Sequence, residues 1–419
     1  MREALSYALV AGAVWLGWEA IKTPLADRSP PAVAVRLSPG SPEVLRRAAE
    51  AELLAERFDN AQALSAESLS RAPFNARALR VRGLAEARLG DTDRADEMLT
   101  LAGNWSLRDD PAHAWLIENR LRRGDYGSAF AHADTLARRR SDLYPSLFRL
   151  FTEAAVADPR ALPVVASLLS KAPPWRPAYL EHLHDSDNGA PVVGGLAIAL
   201  ERTQAPFTPY ELQRLYTVWL TAGRFDGILE LRRHLGRPPA ETLLQNGDFS
   251  TSADQQLLPF GWAIATGAGI GTSVVEDDLR KGNQAFRLEY DGFASGLFTR
   301  QLLMLDPGAY LLQGEWRAET PRPDMRIGWQ VVCAETGEVV SMTRSELHDG
   351  SGEWNSFQQA FSIPRENCRA QWLQLVPVPG DRRITIAAWF DKLQVRPSAS
   401  DAEDATPAAE RGSPANSET

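Results

Sequence analysis

Cysteine is almost missing from this sequence of 419 residues, which holds two, Cys333 and Cys368, both in its last third. Two thiols cannot build a structural zinc site unaided. An excess of positive charge is missing too: 45 Lys and Arg face 54 Asp and Glu, a formal net charge of −9. No nucleic-acid partner is therefore expected, since such a partner would call for a basic face. Catalytic signatures are absent. The chain has no G-x-S-x-G, no H-E-x-x-H and no carboxylate pair that the sequence alone can place for glycoside hydrolysis. A non-catalytic role is expected, with no cofactor.

Long apolar runs are also missing, apart from residues 4–18 (ALSYALVAGAVWLGW), which carry no charge and follow Met1-Arg2. That is short of the roughly 20 residues a bilayer helix wants, but continuing to Ile21, with Glu19 reaching for the interface, brings it near the lower limit. Three readings stay open. The run is an uncleaved anchor over residues 1–22, a cleaved signal, for which Ala32-Val33-Ala34 is a late and ill-fitting cleavage site, or a buried amphipathic helix. The anchor is the working expectation. Its positive amino end would stay cytoplasmic, placing the bulk of the chain beyond the inner membrane as a single-pass periplasmic protein. Residues 23–41, rich in Pro and small side chains, have the composition of a spacer.

What the chain does have is a repeat. Residues 76–102 (ARALRVRGLAEARLGDTDRADEMLTLA) contain Gly90-Asp91 between two helical patterns, with Ala95 five residues past the glycine. Gly124-Asp125-Tyr126 with Ala129 repeats this, and Arg57-Phe58-Asp59-Asn60 with Ala61 precedes it. The alanines fall 34 residues apart, at 61, 95 and 129. A helix, a tight turn and a second helix at that period resemble the tetratricopeptide repeat. Leu79 and Trp115 stand at its large apolar position, Gly83 follows Leu79 by four, and Pro73 and Pro111 lie between repeats. Arg82, Asn119 and Arg57 depart from the pattern, Arg57 replacing the turn glycine of the first copy. Helical patterning continues to about residue 239, where Arg224-Phe225-Asp226-Gly227 echoes residues 57–60. Stacked helix pairs of this kind make an α-solenoid with a curved groove that docks protein partners.

Near residue 240 the pattern changes to short alternating segments separated by turn residues, the signature of an antiparallel sandwich. An Asn246-Gly247-Asp248-Phe249 opening, a Pro259-Phe260-Gly261-Trp262 segment, an Asp306-Pro307-Gly308-Ala309-Tyr310 turn and a closing Trp389-Phe390-Asp391-Lys392-Leu393 follow in order. They resemble, over about residues 243–397, the jelly-roll carbohydrate-binding modules of the galactose-binding-like fold, and the domain is placed at residues 240–397. The resemblance implies a glycan-binding sandwich. It also implies that an acidic residue just after the opening phenylalanine often helps to hold a structural calcium ion; Ser250 stands there, which leaves Asp391 without that partner, and no metal is expected. Residues 398–419 hold no aromatic residue and read as disordered. The whole is thus a multidomain α plus all-β chain.

Six tryptophans (262, 316, 329, 354, 372, 389) fall in the sandwich. An indole alternating with Val or Leu on a strand is ordinarily core, as for Trp329 beside Val331. Trp262 and Trp354 follow loop residues and are the candidate glycan contacts. Cys333 and Cys368 each lie on an expected strand and would pair in an exported chain. Closing a loop of that size adds roughly 4 kcal/mol in the chain-entropy model. His182 and His184, two apart on a helix, point to different sides and read as a polar helix end. Gly267-Ala268-Gly269-Ile270-Gly271 lacks the strand–loop–helix setting of a phosphate loop and reads as a loop between strands. Arg120, Arg122, Arg123, Arg138, Arg139 and Arg140 form a candidate basic patch, either a solvated face or a partner contact. The expectation is a membrane-anchored envelope scaffold that contacts polysaccharide during surface polysaccharide assembly or export. The alternative is a protein–protein scaffold that binds no glycan.

Overall fold

The computed structural model describes residues 15–18, 20–22, 24–236, 242–252, 255–319, 326–343, 352–378 and 385–398. The chain divides into two compact units, Met1–Val192 and Val193–Thr419.

In the first unit the helices are α1 (Pro31–Leu37), α2 (Pro42–Leu54), α3 (Phe58–Arg71), α4 (Ala76–Leu89), α5 (Thr92–Trp105), α6 (Asp110–Arg122) and α7 (Tyr126–Ala137). They are followed by α8 (Tyr144–Ala157), α9 (Ala161–Leu169) and α10 (Arg176–Asp185), and α11 (Gly189–Leu200) runs across the boundary. The hairpins α2–α3, α4–α5 and α6–α7 begin at Pro42, Ala76 and Asp110, 34 residues apart. Local chemistry sets each turn. Gly90 takes a left-handed φ of 96° to end α4, and the Asp91 side chain accepts from the Arg94 N–H to start α5. Gly124 and Asp125 do the same one repeat later. In the first copy the left-handed residue is Glu56, φ 59°; the sequence reading put the missing glycine at Arg57. The helix starts also correct the alignment of Trp115 with Leu79: the residue 34 past Leu79 is His113, which is buried.

Ala61, Ala95 and Ala129 are fully buried, so neighbouring helices approach closely. A Cβ on Gly83 would come within 2.6 Å of Leu99 Cγ. An ionic ladder crosses the repeats: Arg46 holds Glu50 at 2.6 Å, Arg80 holds Glu50 as well, and Arg80 lies 3.5 Å from Asp109. His113 Nδ1 sits 3.0 Å from His132 Nδ1 on the next helix. Burial, then the neighbouring His113 and Arg120, pull the His132 imidazole down to about 4, against Asp125 and Asp96, which favour its cation. His113 is lowered too, by burial and then Arg139, with Asp109 and Asp110 opposing.

The expected spacer over residues 23–41 is helical instead at 24–28 and in α1. Pro31 sits at the start of α1, where its missing N–H costs little. Ala26 and Ala34 bury against Val44, and Arg47 donates to the carbonyls of Asp27 and Ser29 at 2.6 and 3.0 Å. Among the described residues, no helix is long and apolar enough to cross a membrane. Most of the expected anchor, residues 1–14 and Glu19, lies outside the described residues, as do Thr23 and residues 399–419.

The second unit holds α12 (Pro209–Thr221), α13 (Phe225–Leu235) and ten strands. These are β1 (Ala263–Ile264), β2 (Ile270–Glu276), β3 (Gln284–Tyr290), β4 (Thr299–Leu303), β5 (Gly308–Ala318), β6 (Ile327–Cys333), β7 (Val339–Met342), β8 (Asn355–Ile363), β9 (Gln371–Pro377) and β10 (Ile386–Pro397). They form a first sheet, β1-β4-β9-β6-β7, and a second, β2-β3-β10-β5-β8, with every pairing antiparallel. Alternation sends Leu373, Leu375, Trp329 and Val331 from the first sheet, and Phe286, Leu288, Trp316 and Phe390 from the second, into one core. Cys333 and Cys368 are disulfide-bonded. Around the core, Tyr216 of α12 meets Phe260 edge-on at 5.2 Å, Arg232 of α13 stacks over Phe260 at 4.7 Å, and Arg369 pairs with Asp226 at 3.0 Å.

Candidate functional site

With the inward residues of the first sheet committed to the core, the period of two turns their neighbours outward. Register places Arg300 of β4 opposite Gln374 of β9, Gln374 opposite Gln330 of β6, and Gln330 opposite Met342 of β7. These side chains form one row across four strands, about 14 Å long at the usual strand spacing. Arg300, Gln374 and Gln330 are half-buried. The Gln330 Nε2 donates to Gln374 Oε1 at 2.9 Å, and among the described residues the Gln374 amide nitrogen and the Gln330 side-chain oxygen have no further hydrogen-bond partner. In the adjoining row Trp372 stands opposite Leu302 and Val332, and the Arg300 guanidinium stacks over its ring, 4.3 Å from the centroid. The strands hold this set rigidly, as a recognition surface requires.

The outward face of the second sheet is built differently. Trp389 lies between Arg317, 4.0 Å from its ring centroid, and Arg287 at 5.4 Å. Nearby, a groove of about 660 Å³ is lined by Gly267, Gly269, Gly271, Glu289, Asp291 and Glu319 among others. Arg287 pairs with Glu289 at 2.5 Å, and Asp291 Oδ1 accepts from the backbone N–H groups of Phe293 and Ala294 at 2.8 and 3.1 Å. The residues read as a glycine loop supply its rim and the start of β2.

Trp262 is not a surface residue. It is 2% exposed, its Nε1 donates to the Asn246 carbonyl at 2.9 Å, and it stacks on Phe249 at 5.4 Å. The opening segment folds over this part of the core, fixed by Gln245 and Gln301, which exchange hydrogen bonds of 2.7 and 2.9 Å. Trp354 is half-buried; its Nε1 donates to Asp277 Oδ2 at 2.9 Å, and Arg280 covers its ring at 4.6 Å. Both indoles are thus engaged within the protein.

The candidate basic patch is neutralised. Arg120 pairs with Asp96 (2.9 Å), Arg122 with Glu118 (3.5 Å), Arg123 with Asp93 (3.1 Å) and Arg138 with Asp134 (2.8 Å). Arg139 pairs with Asp110, and Arg140 with Asp110 and Asp142, the latter at 2.7 Å. Asp391 is fully buried; burial pushes its carboxyl up, while Asn283 donates to it at 2.8 Å and the Lys392 N–H at 2.7 Å. Among the described residues no group of three metal-ligating side chains comes together.

Reasoning from sequence alone missed Arg300, Gln330, Trp372 and Gln374. A signal was present: glutamine alternates with Leu and Val in WLQLVP and sits beside Trp329 in GWQVVC, polar positions inside otherwise apolar strands.

No family model matches the chain, and no curated protein matches it. Solved structures similar to it include a module described as CBM4 (18% identity, 37% of this chain and 99% of that one, TM-score 0.29). The CBM22-1 xylan-binding domain from Paenibacillus barcinonensis is another (14%, 33% and 85%, TM-score 0.26). A third is TmCBM61 in complex with β-1,4-galactotriose (17%, 38% and 99%, TM-score 0.27).

Proposed function

We propose that the sandwich binds a glycan along the outward face of its first sheet, and that the chain acts without catalysis as a binding and scaffold component. The row of Arg300, Gln374 and Gln330 beside Trp372 carries this reading. Sugar hydroxyls both donate and accept, and a fixed amide pair presents one donor and one acceptor side by side. Retention in affinity gels made with a panel of polysaccharides tests it: the full chain should be retarded by at least one polymer, and Gln374→Ala should weaken that retardation. No retardation by any polymer sinks the reading.

The setting we propose is the inner membrane, with the bulk of the chain on the periplasmic side, in assembly or export of a surface polysaccharide. The disulfide suits an oxidising compartment. Residues 15–18 and 20–22 are helical, with Trp15, Trp18 and Ile21 exposed at 62%, 51% and 63%, in continuation of the uncharged run before them.

The second reading, a protein scaffold that binds no glycan, draws on the helical unit. Its 34-residue hairpins support a tetratricopeptide-like array. Phe74 and Trp105, exposed at 84% and 46% with rings 5.6 Å apart, have the character of a protein contact.

A further inference from the structure

Resting on the glycan reading above, we propose that the ligand of the first sheet's outward face is an anionic glycan, a polymer bearing sugar carboxylates, and that Arg300 is the residue that selects it.

Charge pairing singles out this arginine. Of the strand arginines that are at least half-buried, Arg287 pairs with Glu289 at 2.5 Å, and Arg317 pairs with Asp278 and, at 3.4 Å, with Asp277. Arg300 has a ring partner, Trp372, and no carboxylate among the described residues. Its neighbours across the sheet, Gln374, Gln330 and Met342, are neutral. The row therefore holds one partly desolvated positive charge whose counter-ion the described residues do not supply.

Stacking also orients it. The Trp372 ring covers one side of the Arg300 guanidinium and leaves an N–H edge of the fork open. That edge fits a carboxylate through two parallel hydrogen bonds. A neutral sugar would meet the amide pair equally well but would leave the charge unmatched. The groove on the opposite face is lined by three carboxylates, Glu289, Asp291 and Glu319, the first held by Arg287, and by no lysine or arginine, which disfavours the same polymer there.

The test measures affinity of the full chain for alginate and polygalacturonate, for the sulfated polymer dextran sulfate, and for neutral galactan and xylan. Variants Arg300→Gln, Arg300→Lys and Gln374→Ala accompany the native sequence, each checked for unchanged near-UV circular dichroism. A polyuronate should bind tightest. Arg300→Gln should weaken it about tenfold or more, the scale of a charge-assisted hydrogen bond, and should weaken any neutral glycan by a clearly smaller factor. Arg300→Lys should recover part of the loss, because it keeps the charge but not the fork. Gln374→Ala should weaken both kinds of ligand. The proposal is overturned if a neutral glycan binds as tightly as the polyuronates, or if Arg300→Gln leaves polyuronate affinity unchanged. It is also overturned if dextran sulfate binds equally well with the same dependence on Arg300, which would mark general polyanion attraction. No binding to any polymer would instead remove the glycan reading beneath it.

Discussion

Where the first three hairpins of the helical unit meet, the closest contacts are made by small residues, Ala61, Ala78, Ala85, Ala95, Ala112 and Ala129, with Leu99 and Leu116 among them and the unit's aromatic cluster, Phe130, Phe151, Trp175 and Tyr179, further along the chain, whereas Trp262, Phe286, Trp316, Trp329 and Phe390 fill the sandwich. The two interiors respond to opposite kinds of damage. Alanine surfaces bring backbones close and have little volume to lose, so an added methyl is the greater threat. An aromatic core has much to lose and leaves a large cavity when a ring is removed. Small cores also bury little apolar area, and the helical unit supplements them with the ladder from Glu43 through Arg46, Glu50 and Arg80 to Asp109.

The sharpest way to draw out this contrast is Trp329→Ala, which should cost the sandwich about 4 kcal/mol or more and lower its urea midpoint, with little change in the helical signal at 222 nm. Equal loss in both signals would show that the two interiors do not respond separately. Replacing Cys333 and Cys368 with serine opens a bridge between residues 35 apart; about 3 kcal/mol should go, again from the sandwich, since measured losses often fall below the chain-entropy limit. In the helical unit, Gly83→Val drives side-chain atoms against Leu99, whose Cγ would lie only 2.6 Å from the first added carbon, and should cost about 2 kcal/mol. An alanine-for-leucine change at residue 99 beside it should relieve part of that cost.

Acid gives the smallest and most selective effect. The His132 imidazole titrates lower in the fold, about 4, than its ordinary 6.5, so the unfolded chain takes up the proton first. Stability from this group is complete above pH 6.5 and falls as the pH drops from there toward 4. Each tenfold difference in proton affinity between the folded and unfolded chain is worth about 1.4 kcal/mol, and discounting for the part of the ring that stays hydrated leaves a loss of roughly 1 to 2 kcal/mol. The helical melting temperature should therefore decline between pH 7 and pH 4.5 more than in His132→Gln. Identical declines would rule out the pair as the cause.

The elements that repeat or alternate were legible in the sequence. Gly90-Asp91 and Gly124-Asp125 announced helix junctions through their own backbone chemistry, and strands such as β3, β5 and β10 showed in the alternation of apolar residues. Two things were hidden. Arg120, Arg123 and Arg139 look unopposed because their partners Asp96, Asp93 and Asp110 lie 24 to 30 residues away in the chain, and stacking of one repeat on the next brings them together. Trp262 looked accessible from its loop context; only long-range folding of the opening segment over the core shows that the loop is its lid. The residues of the outward row escaped notice because no one of them is unusual. Their meaning lies in register, which pairs strands far apart in sequence.

Arg369, Tyr216, Arg232 and Phe260 tie the last helical hairpin to the sandwich. Scissors applied where helix gives way to strand, near residue 240, would strip Phe260 of its two coverings and leave Arg369 without Asp226. The compact unit that holds the sandwich begins at Val193, so the hairpin travels with the sheets as their collar.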